Sequence, residues 1–141
     1  MKKILAIILL ICTLCLSSCG ILEELKTGID EATVLAEDFC KALANEDLDK
    51  AKSYLHPDST PSQHELSSFV AKLERQHDID FSNGVSFKLR NGINSSYYNS
   101  KYDGSVHEID YYILVGDVTV NFFFVVVKND NGYGLYSFGI N

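Results

Sequence analysis

The spacing of apolar residues changes once along this chain, near Asn83 and Gly84, and that change limits the folds open to it. Before this point apolar residues recur every three or four positions, which is typical of helices. After it they alternate with polar residues, which is typical of half-buried strands. Helices followed by strands, without alternation between them, predict a single α+β domain.

Three helices are predicted before the change of spacing. The first carries one apolar stripe over residues 22–43, and the second is capped by Asp47 and stopped before Pro57. The third begins at a cap hydroxyl on Thr60 and gives way near His77. We expect the apolar faces of all three helices to cover one side of the sheet.

The strands that follow form an antiparallel meander in this interpretation. Gly116-Asp117 and Asn131-Gly132 suit tight hairpin turns. Residues 91–105 fit either an irregular strand or a long loop, and both alternatives stay open. The predicted strands lie at 85–90, 106–115, 118–128 and 133–140.

A turn at Gly116 and Asp117 decides which side chains share a face of the sheet. Val115 then pairs with Val118, and the other pairs follow by counting outward from the turn. The face that we expect the helices to cover holds His107, Ile109, Tyr111, Ile113, Val115, Val118, Val120, Phe122, Phe124 and Val126.

The opposite face, called the second face below, is predicted to be apolar on its last two strands. A two-residue and a four-residue loop in the second hairpin both place Tyr136, Phe138 and Ile140 there. Such a patch predicts an interface with a second copy or with a partner protein. The alternative is that the amino-terminal helix or residues 91–105 cover it. The interface residues would be Phe123, Val125, Tyr136 and Phe138.

The amino terminus has the pattern of a secretion signal. Lys2 and Lys3 precede an apolar stretch and then small residues. The apolar stretch is about 13 residues long, whereas a membrane-spanning helix needs roughly 20. We therefore predict a signal peptide over residues 1–18.

The end of this signal resembles the lipobox of bacterial lipoproteins, in the residues Leu16, Ser17, Ser18 and Cys19. The resemblance implies that Cys19 carries a diacylglyceride and that the chain is cleaved ahead of it. An ordinary signal peptide with an incidental cysteine is the alternative. We expect the chain to be lipid-anchored on the extracytoplasmic side of the cell membrane or the outer membrane, with the membrane as its partner through Cys19.

The mature chain is predicted to consist of a tether and one domain. Gly28 weakens the start of the first helix by up to about 1 kcal/mol relative to alanine, so we place a lipidated tether at residues 19–29 and the domain at 30–141. Cys40 would be the only cysteine left without lipid, and it reads as a small buried apolar residue.

The charge balance argues against a nucleic-acid partner. The chain has 12 Lys plus Arg and 19 Asp plus Glu, and Lys2 and Lys3 leave with the signal, so 10 basic residues remain against 19 acidic ones. Nucleic-acid binding depends on clustered basic residues.

The order of elements, with the segment VLAEDFCKALANEDLDKAKSYLHPDS at residues 34–59, resembles the NTF2-like (cystatin-like) superfamily, particularly its small bacterial lipoproteins of unknown function. The signature is a Phe-x-x-Ala-Leu helix end, an acidic turn and Ala-x-x-Tyr-Leu. The resemblance implies a cone, in which one long and two shorter helices pack on a bent antiparallel sheet and leave a pocket at the open end.

The same resemblance implies where a pocket would lie. Ketosteroid isomerases and dehydratases of this superfamily use an acidic or histidine base and a tyrosine donor inside the cone, and the matching residues here are His107 and Tyr111, with Phe122 as a lining residue. His107 and Tyr111 are about 13 Å apart at strand rise. Glu108 and Asp110 fall on the second face, so no catalytic residue is assigned.

No metal or cofactor is predicted. His56 with Asp58, and His77 with Asp78 and Asp80, lack companion ligands at a metal-binding spacing, and the glycines do not form a phosphate-binding loop.

The favoured function is a non-enzymatic module that binds a ligand or an envelope protein. The alternatives are an isomerase-like or hydrolytic enzyme, which rings of Phe122 and Phe124 filling the cone would exclude, and a structural homodimer. We expect contacts from the tyrosines of the strand-rich half, because a tyrosine combines apolar area with one hydrogen-bonding group. These are Tyr97, Tyr98, Tyr102, Tyr111 and Tyr112.

Overall fold

Three helices precede four strands in the computed structural model, which describes the backbone of residues 2–59 and 61–141 and the side chains of residues 20, 22–59, 61–88 and 92–141. This order confirms the predicted α+β fold class, with helices packed on an antiparallel sheet. The helices are α1 (Lys2–Ala44), α2 (Leu48–Ser53) and α3 (Gln63–His77), followed by a short 3-10 turn (Phe81–Asn83). The strands are β1 (Ser86–Asn99), β2 (Gly104–Val115), β3 (Val118–Asn129) and β4 (Gly132–Ile140).

The strands form one antiparallel sheet in the order β1-β2-β3-β4, as predicted. The second hairpin turns at Asp130 and Asn131, one residue before the predicted Asn131-Gly132, because Asn129 pairs with Gly132. The open question at residues 91–105 is answered by β1, which continues to Asn99 before a turn leads into β2. Its pairing with β2 shifts between Leu89 and Ile93, where Gly92 has a φ of 86°. Glycine adopts this backbone conformation without strain.

The predicted register of β2 and β3 is confirmed along its whole length. Val115 pairs with Val118, and the pairing continues without a shift to Gly104 and Asn129. The core face is therefore the one counted from the turn. Nine of its ten predicted residues are buried, and the tenth, Val118, packs half-buried against the core.

The predicted faces of β4 are wrong beyond Leu135. Val126 pairs with Leu135 and Val125 with Ser137, so Tyr136 is an extra residue without a partner across the ladder. One extra residue reverses the sides of every residue that follows it. Phe138 and Ile140 therefore lie on the core face and not on the second face.

The core position of Phe138 is shown by its neighbours. Its ring lies 4.7 Å from the ring of Phe39 in α1 and 5.1 Å from the ring of Phe69 in α3. Ile140 pairs with Phe122 and packs against the same core. Phe138 thus packs half-buried against the core and is not part of the predicted interface on the second face.

A segment distant in sequence accounts for the bulge at Tyr136. The backbone N–H of His56 donates to the carbonyl of Leu135 at 2.8 Å, and the N–H of Leu135 donates to the carbonyl of Tyr54 at 2.9 Å. These bonds attach the chain after α2 to the outer edge of β4, where Leu55 forms a parallel bridge with Leu135. Covering an edge strand in this way protects it from pairing with another chain.

The turn between β1 and β2 covers part of the second face. The ring of Tyr102 lies 4.9 Å from that of Tyr136, and Asn129 donates from Nδ2 to the Tyr102 carbonyl at 2.9 Å. The alternative in which residues 91–105 cover the patch is therefore correct at Tyr136. Phe123 and Val125 stay half-buried on the same face.

The helix caps are partly as predicted. Asp47 caps α2 by accepting from the N–H of Lys50. The cap of α3 is Ser62, because its hydroxyl accepts from the N–H of Glu65 while the Glu65 carboxylate accepts from the N–H of Ser62. Thr60, the predicted cap, lies outside the described residues.

Helix α1 continues without a break through Gly28 and through the predicted tether. At Gly28 the ring of His107 occupies the space of a side chain, since a Cβ there would be 2.9 Å from Nε2. The glycine that indicated a weak point in the sequence is thus a point of close contact between α1 and the sheet.

The predicted signal peptide and lipid attachment remain predictions. The side chain of Cys19 lies outside the described residues, and so do the side chains of the rest of the lipobox. Among the described residues, no helix has the length and apolar content needed to cross a membrane. Cys40 is a free cysteine and is buried, as expected.

Candidate functional site

Stacked aromatic rings fill the interior between helices and sheet. The ring of Phe122 lies 5.9 Å from Phe124 and 6.4 Å from Phe81, and both pairs are stacked. The ring of Phe69 meets Phe122 edge-on at 6.0 Å. Phe122, predicted to line a pocket, is therefore a fully buried packing residue.

His107 is buried under α1, with 3% of its surface exposed. Its Nδ1 lies 2.9 Å from Oγ of Ser95 on the neighbouring strand. Burial lowers the pKa of His107, and the carboxylate of Glu31 opposes this shift only in part. The imidazole is therefore neutral at pH 7.

A small cleft of about 130 Å³ opens beside His107, between α1 and one end of the sheet. Burial and Glu31 raise the pKa of Tyr133 in this cleft to about 12, so its hydroxyl keeps its proton. The cleft has room for a few water molecules or a small polar group. Its lining includes Glu24, Gly28, Glu31, Tyr97, His107 and Tyr133.

Tyr111 does not share this cleft. Its hydroxyl donates to Oε1 of Glu37 at 3.1 Å. Burial and the carboxylate of Glu37 raise the pKa of Tyr111 well above its usual value. Ile109, which is fully buried, lies between Tyr111 and His107 on the strand. The structure thus does not bring the two predicted pocket residues into one site.

A larger groove of about 660 Å³ lies partly on the second face of the sheet. Phe123 and Val125 of β3 line it, together with Glu108 and Asp110 of β2. In the ladder Glu108 is directly opposite Val125, and Asp110 is directly opposite Phe123. Directly opposite side chains on one face have Cβ atoms about 5 Å apart, so each carboxylate lies beside an apolar side chain.

Two amides position the carboxylates of the groove. Asn94 donates from Nδ2 to Oε2 of Glu108 at 2.8 Å, and Asn141 donates from Nδ2 to Oδ1 of Asp110 at 2.9 Å. The two acidic residues are two positions apart on β2, so their Cα atoms are about 7 Å apart. The groove therefore combines an apolar floor with two oriented negative charges.

Sequence reasoning found part of this groove. Phe123 and Val125 were predicted as interface residues. Glu108 and Asp110 were correctly predicted to lie on the second face, which makes them unavailable for catalysis inside the cone. The contribution of Asn94 was missed because it depends on the irregular register of β1. Tyr136 is partly covered and Phe138 packs half-buried against the core on the other face, so the predicted patch of four is reduced to two.

No group of three potential metal ligands is found among the residues whose side chains are described. His56 instead uses Nε2 to contact Oδ1 of Asn129 at 3.1 Å, while its Nδ1 accepts from the N–H of Asp58. These bonds give His56 a structural role beside β4.

The chain was compared with known proteins at three levels. No family model matches it, and no curated protein matches it. It is similar to a solved structure whose title begins Rd1NTF2_05, with a TM-score of 0.41 and 14% identity over 89% of this chain and 99% of that chain. The architecture described above is compatible with an NTF2-like fold, and a likeness at this TM-score carries no further conclusion.

Proposed function

We propose that this chain is an extracytoplasmic lipoprotein, anchored through lipid on Cys19, whose domain is a binding module. The observation that carries the proposal is the contrast between a core filled by aromatic rings and an open groove of about 660 Å³ that includes the second face. A module that binds proteins or peptides needs such a groove and does not need an internal cavity.

The chemistry of the groove favours a partner with a basic side chain. Arginine and lysine have an apolar stem and a cationic end, which fit Phe123 and the flanking carboxylates of Glu108 and Asp110. An arginine can also form paired hydrogen bonds with a carboxylate. The excess of acidic residues, 19 against the 10 basic ones that remain after Lys2 and Lys3 leave with the signal, attracts such a partner from a distance.

The two alternative functions have less support from the same contacts. An enzyme built on His107 would need an ionisable partner within hydrogen-bonding distance; Glu31 and Tyr133 line the same cleft, but the hydrogen bond of the His107 ring is made with the hydroxyl of Ser95. A symmetric dimer through the groove would bring Glu108 and Asp110 of one copy toward the same residues of the other, and like charges repel.

Nuclear magnetic resonance with two matched peptides tests the groove. Acetylated Arg-Leu-Arg amide should shift the backbone amide signals of Phe123 and Val125, and acetylated Glu-Leu-Glu amide should leave them unchanged. Replacing Glu108→Gln and Asp110→Asn together should weaken the first peptide by about tenfold, which corresponds to about 1.4 kcal/mol. The matched control is Asp38→Asn on α1, which should bind like the parent.

Equal shifts with both peptides, or shifts confined to α1, would refute the groove as the binding site.

Sedimentation of Phe123→Asp tests the dimer, because a fall in mass relative to the parent would favour self-association. Mass spectrometry of the membrane fraction tests the anchor: a diacylglyceryl adduct on Cys19 is expected, and it should vanish in Cys19→Ser.

A further inference from the structure

Helix α1 and strand β2 run parallel, and residues that contact each other occur in the same order along both elements. Gly28 of α1 touches the ring of His107, and Glu37 accepts a hydrogen bond from Tyr111. Nine residues of helix cover about 14 Å. Four residues of strand cover about 13 Å. Position along α1 can therefore be converted into position along β2.

This correspondence places the start of β2 beside the start of the described part of α1. Gly104 is three residues before His107, which is about 10 Å of strand. Helix α1 covers about 10 Å in seven residues, which leads back from Gly28 to the region of Leu22. The lining of the small cleft agrees with this alignment of α1 and the sheet, because Tyr97, near the end of β1, lines the cleft together with Glu24 of α1.

Exposed apolar side chains are concentrated at this end of the domain. The described residues include five exposed large hydrophobic side chains, and Leu22, Tyr97, Tyr98 and Tyr133 all belong to this end. The exposed fractions of Leu22 and Tyr98 are 66% and 60%. The fifth, Val34, is twelve residues beyond Leu22 on α1, a distance of about 18 Å.

The proposed anchor is attached at the same end. Cys19 is three positions before Leu22, so their Cα atoms are at most about 11 Å apart in any conformation of the chain. Lipid on Cys19 would hold this end at the bilayer surface. Tyrosine is suited to the headgroup region, because its ring is apolar and its hydroxyl stays hydrated.

We propose that the end of the domain formed by Leu22, Tyr97 and Tyr98 rests on the lipid headgroups, which fixes the orientation of the domain on the membrane. This inference rests on the proposed lipid attachment. Charges of both signs lie at this end, including Glu24, Lys101 and Lys128, so the surface fits a zwitterionic headgroup layer.

Tryptophan fluorescence gives a direct test, because the chain contains no tryptophan. Tyr98→Trp and Tyr97→Trp each introduce one reporter at the proposed contact, and Val34→Trp is the control at a similarly exposed position on α1, away from this end. The full lipidated protein would be reconstituted in phosphatidylcholine vesicles with brominated acyl chains. We expect loss of emission at positions 97 and 98 and unchanged emission at position 34.

The outcomes separate the inference from the proposed function. Mass spectrometry of each sample first establishes whether Cys19 carries lipid; a chain without it would overturn the anchor and the inference together. With lipid present, equal quenching at positions 34 and 98, or none at either, would overturn the inference alone. Quenching that appears only after adding anionic lipid would overturn the assignment to a zwitterionic surface.

Discussion

Replacing Gly28 with alanine tests the contact that aligns α1 with the sheet. In an open helix this change stabilises a protein by about 1 kcal/mol, because glycine loses more backbone entropy on folding. Gly28 is not in an open position, since an added Cβ would be 2.9 Å from Nε2 and 3.1 Å from Cε1 of His107. We therefore expect the change to destabilise the protein.

The size of the expected destabilisation can be derived from the contacts that the His107 ring would lose if it moved away from an added Cβ. His107 is 3% exposed and is held by Ser95 at 2.9 Å, so it cannot move away freely. Breaking that hydrogen bond costs about 1 kcal/mol. Crowding in a packed region costs about 1–3 kcal/mol. After the helix gain of about 1 kcal/mol is subtracted, the free energy of unfolding should fall by about 1–3 kcal/mol.

Urea unfolding followed by helical circular dichroism measures this free energy. The same Gly28→Ala change in a His107→Ala background should stabilise by about 1 kcal/mol, because the obstructing ring is gone. Gly20→Ala is the matched control, with no heavy atom within 4 Å of its added Cβ. A Gly28→Ala protein that is more stable while His107 is present would refute the contact.

Three further predictions concern the core and its titrating groups. Phe138→Ala should lower the free energy of unfolding by about 3 kcal/mol, and Phe123→Ala should lower it clearly less. If Phe123→Ala lowered the melting temperature more than Phe138→Ala did, the face assignment made from the sequence would be restored. Burial raises the pKa of Cys40, so Ellman's reagent should label it only after unfolding, and rapid labelling of folded protein would contradict this. Because the pKa of His107 is lowered in the folded state, the unfolded state binds a proton at this residue at higher pH than the folded state does. The stability that neutral His107 contributes should therefore be lost as pH falls below its ordinary pKa of 6.5. In urea titrations, His107→Gln should reduce the dependence of the unfolding free energy on pH.

The parts of the fold that sequence could predict depend on local signals. The turn at Gly116 has a positive φ of 58°, which glycine favours, and the alternating residues on both sides then determine the register of β2 and β3. The first helix could be predicted from the spacing of its apolar residues for the same reason. In each case residues near in sequence carry the information.

The errors arose where distant residues decide the structure. The bulge at Tyr136 accompanies hydrogen bonds between Leu135 and the chain after α2, which the sequence of β4 does not contain. A signal was present in Gly134, because a Cβ there would lie 2.6 Å from the backbone of His56 and of Leu55. Glycine within a strand often marks such close backbone approach. The position of Asn94 at the groove likewise depends on the irregular pairing of β1.

The two proposed surfaces are separated along β2, and this separation determines how a partner could reach the groove. Asp110 is six residues beyond Gly104, so it lies about 20 Å from the end of the domain that is proposed to rest on the membrane. The Debye length is about 8 Å at physiological ionic strength, so headgroup charge has little influence at the groove. The affinity of the groove for a basic peptide, referred to the concentration of free peptide that is not adsorbed to lipid, should therefore be the same on zwitterionic and anionic vesicles. A partner attached to the same membrane would have to present its basic residue about 20 Å above the lipid surface.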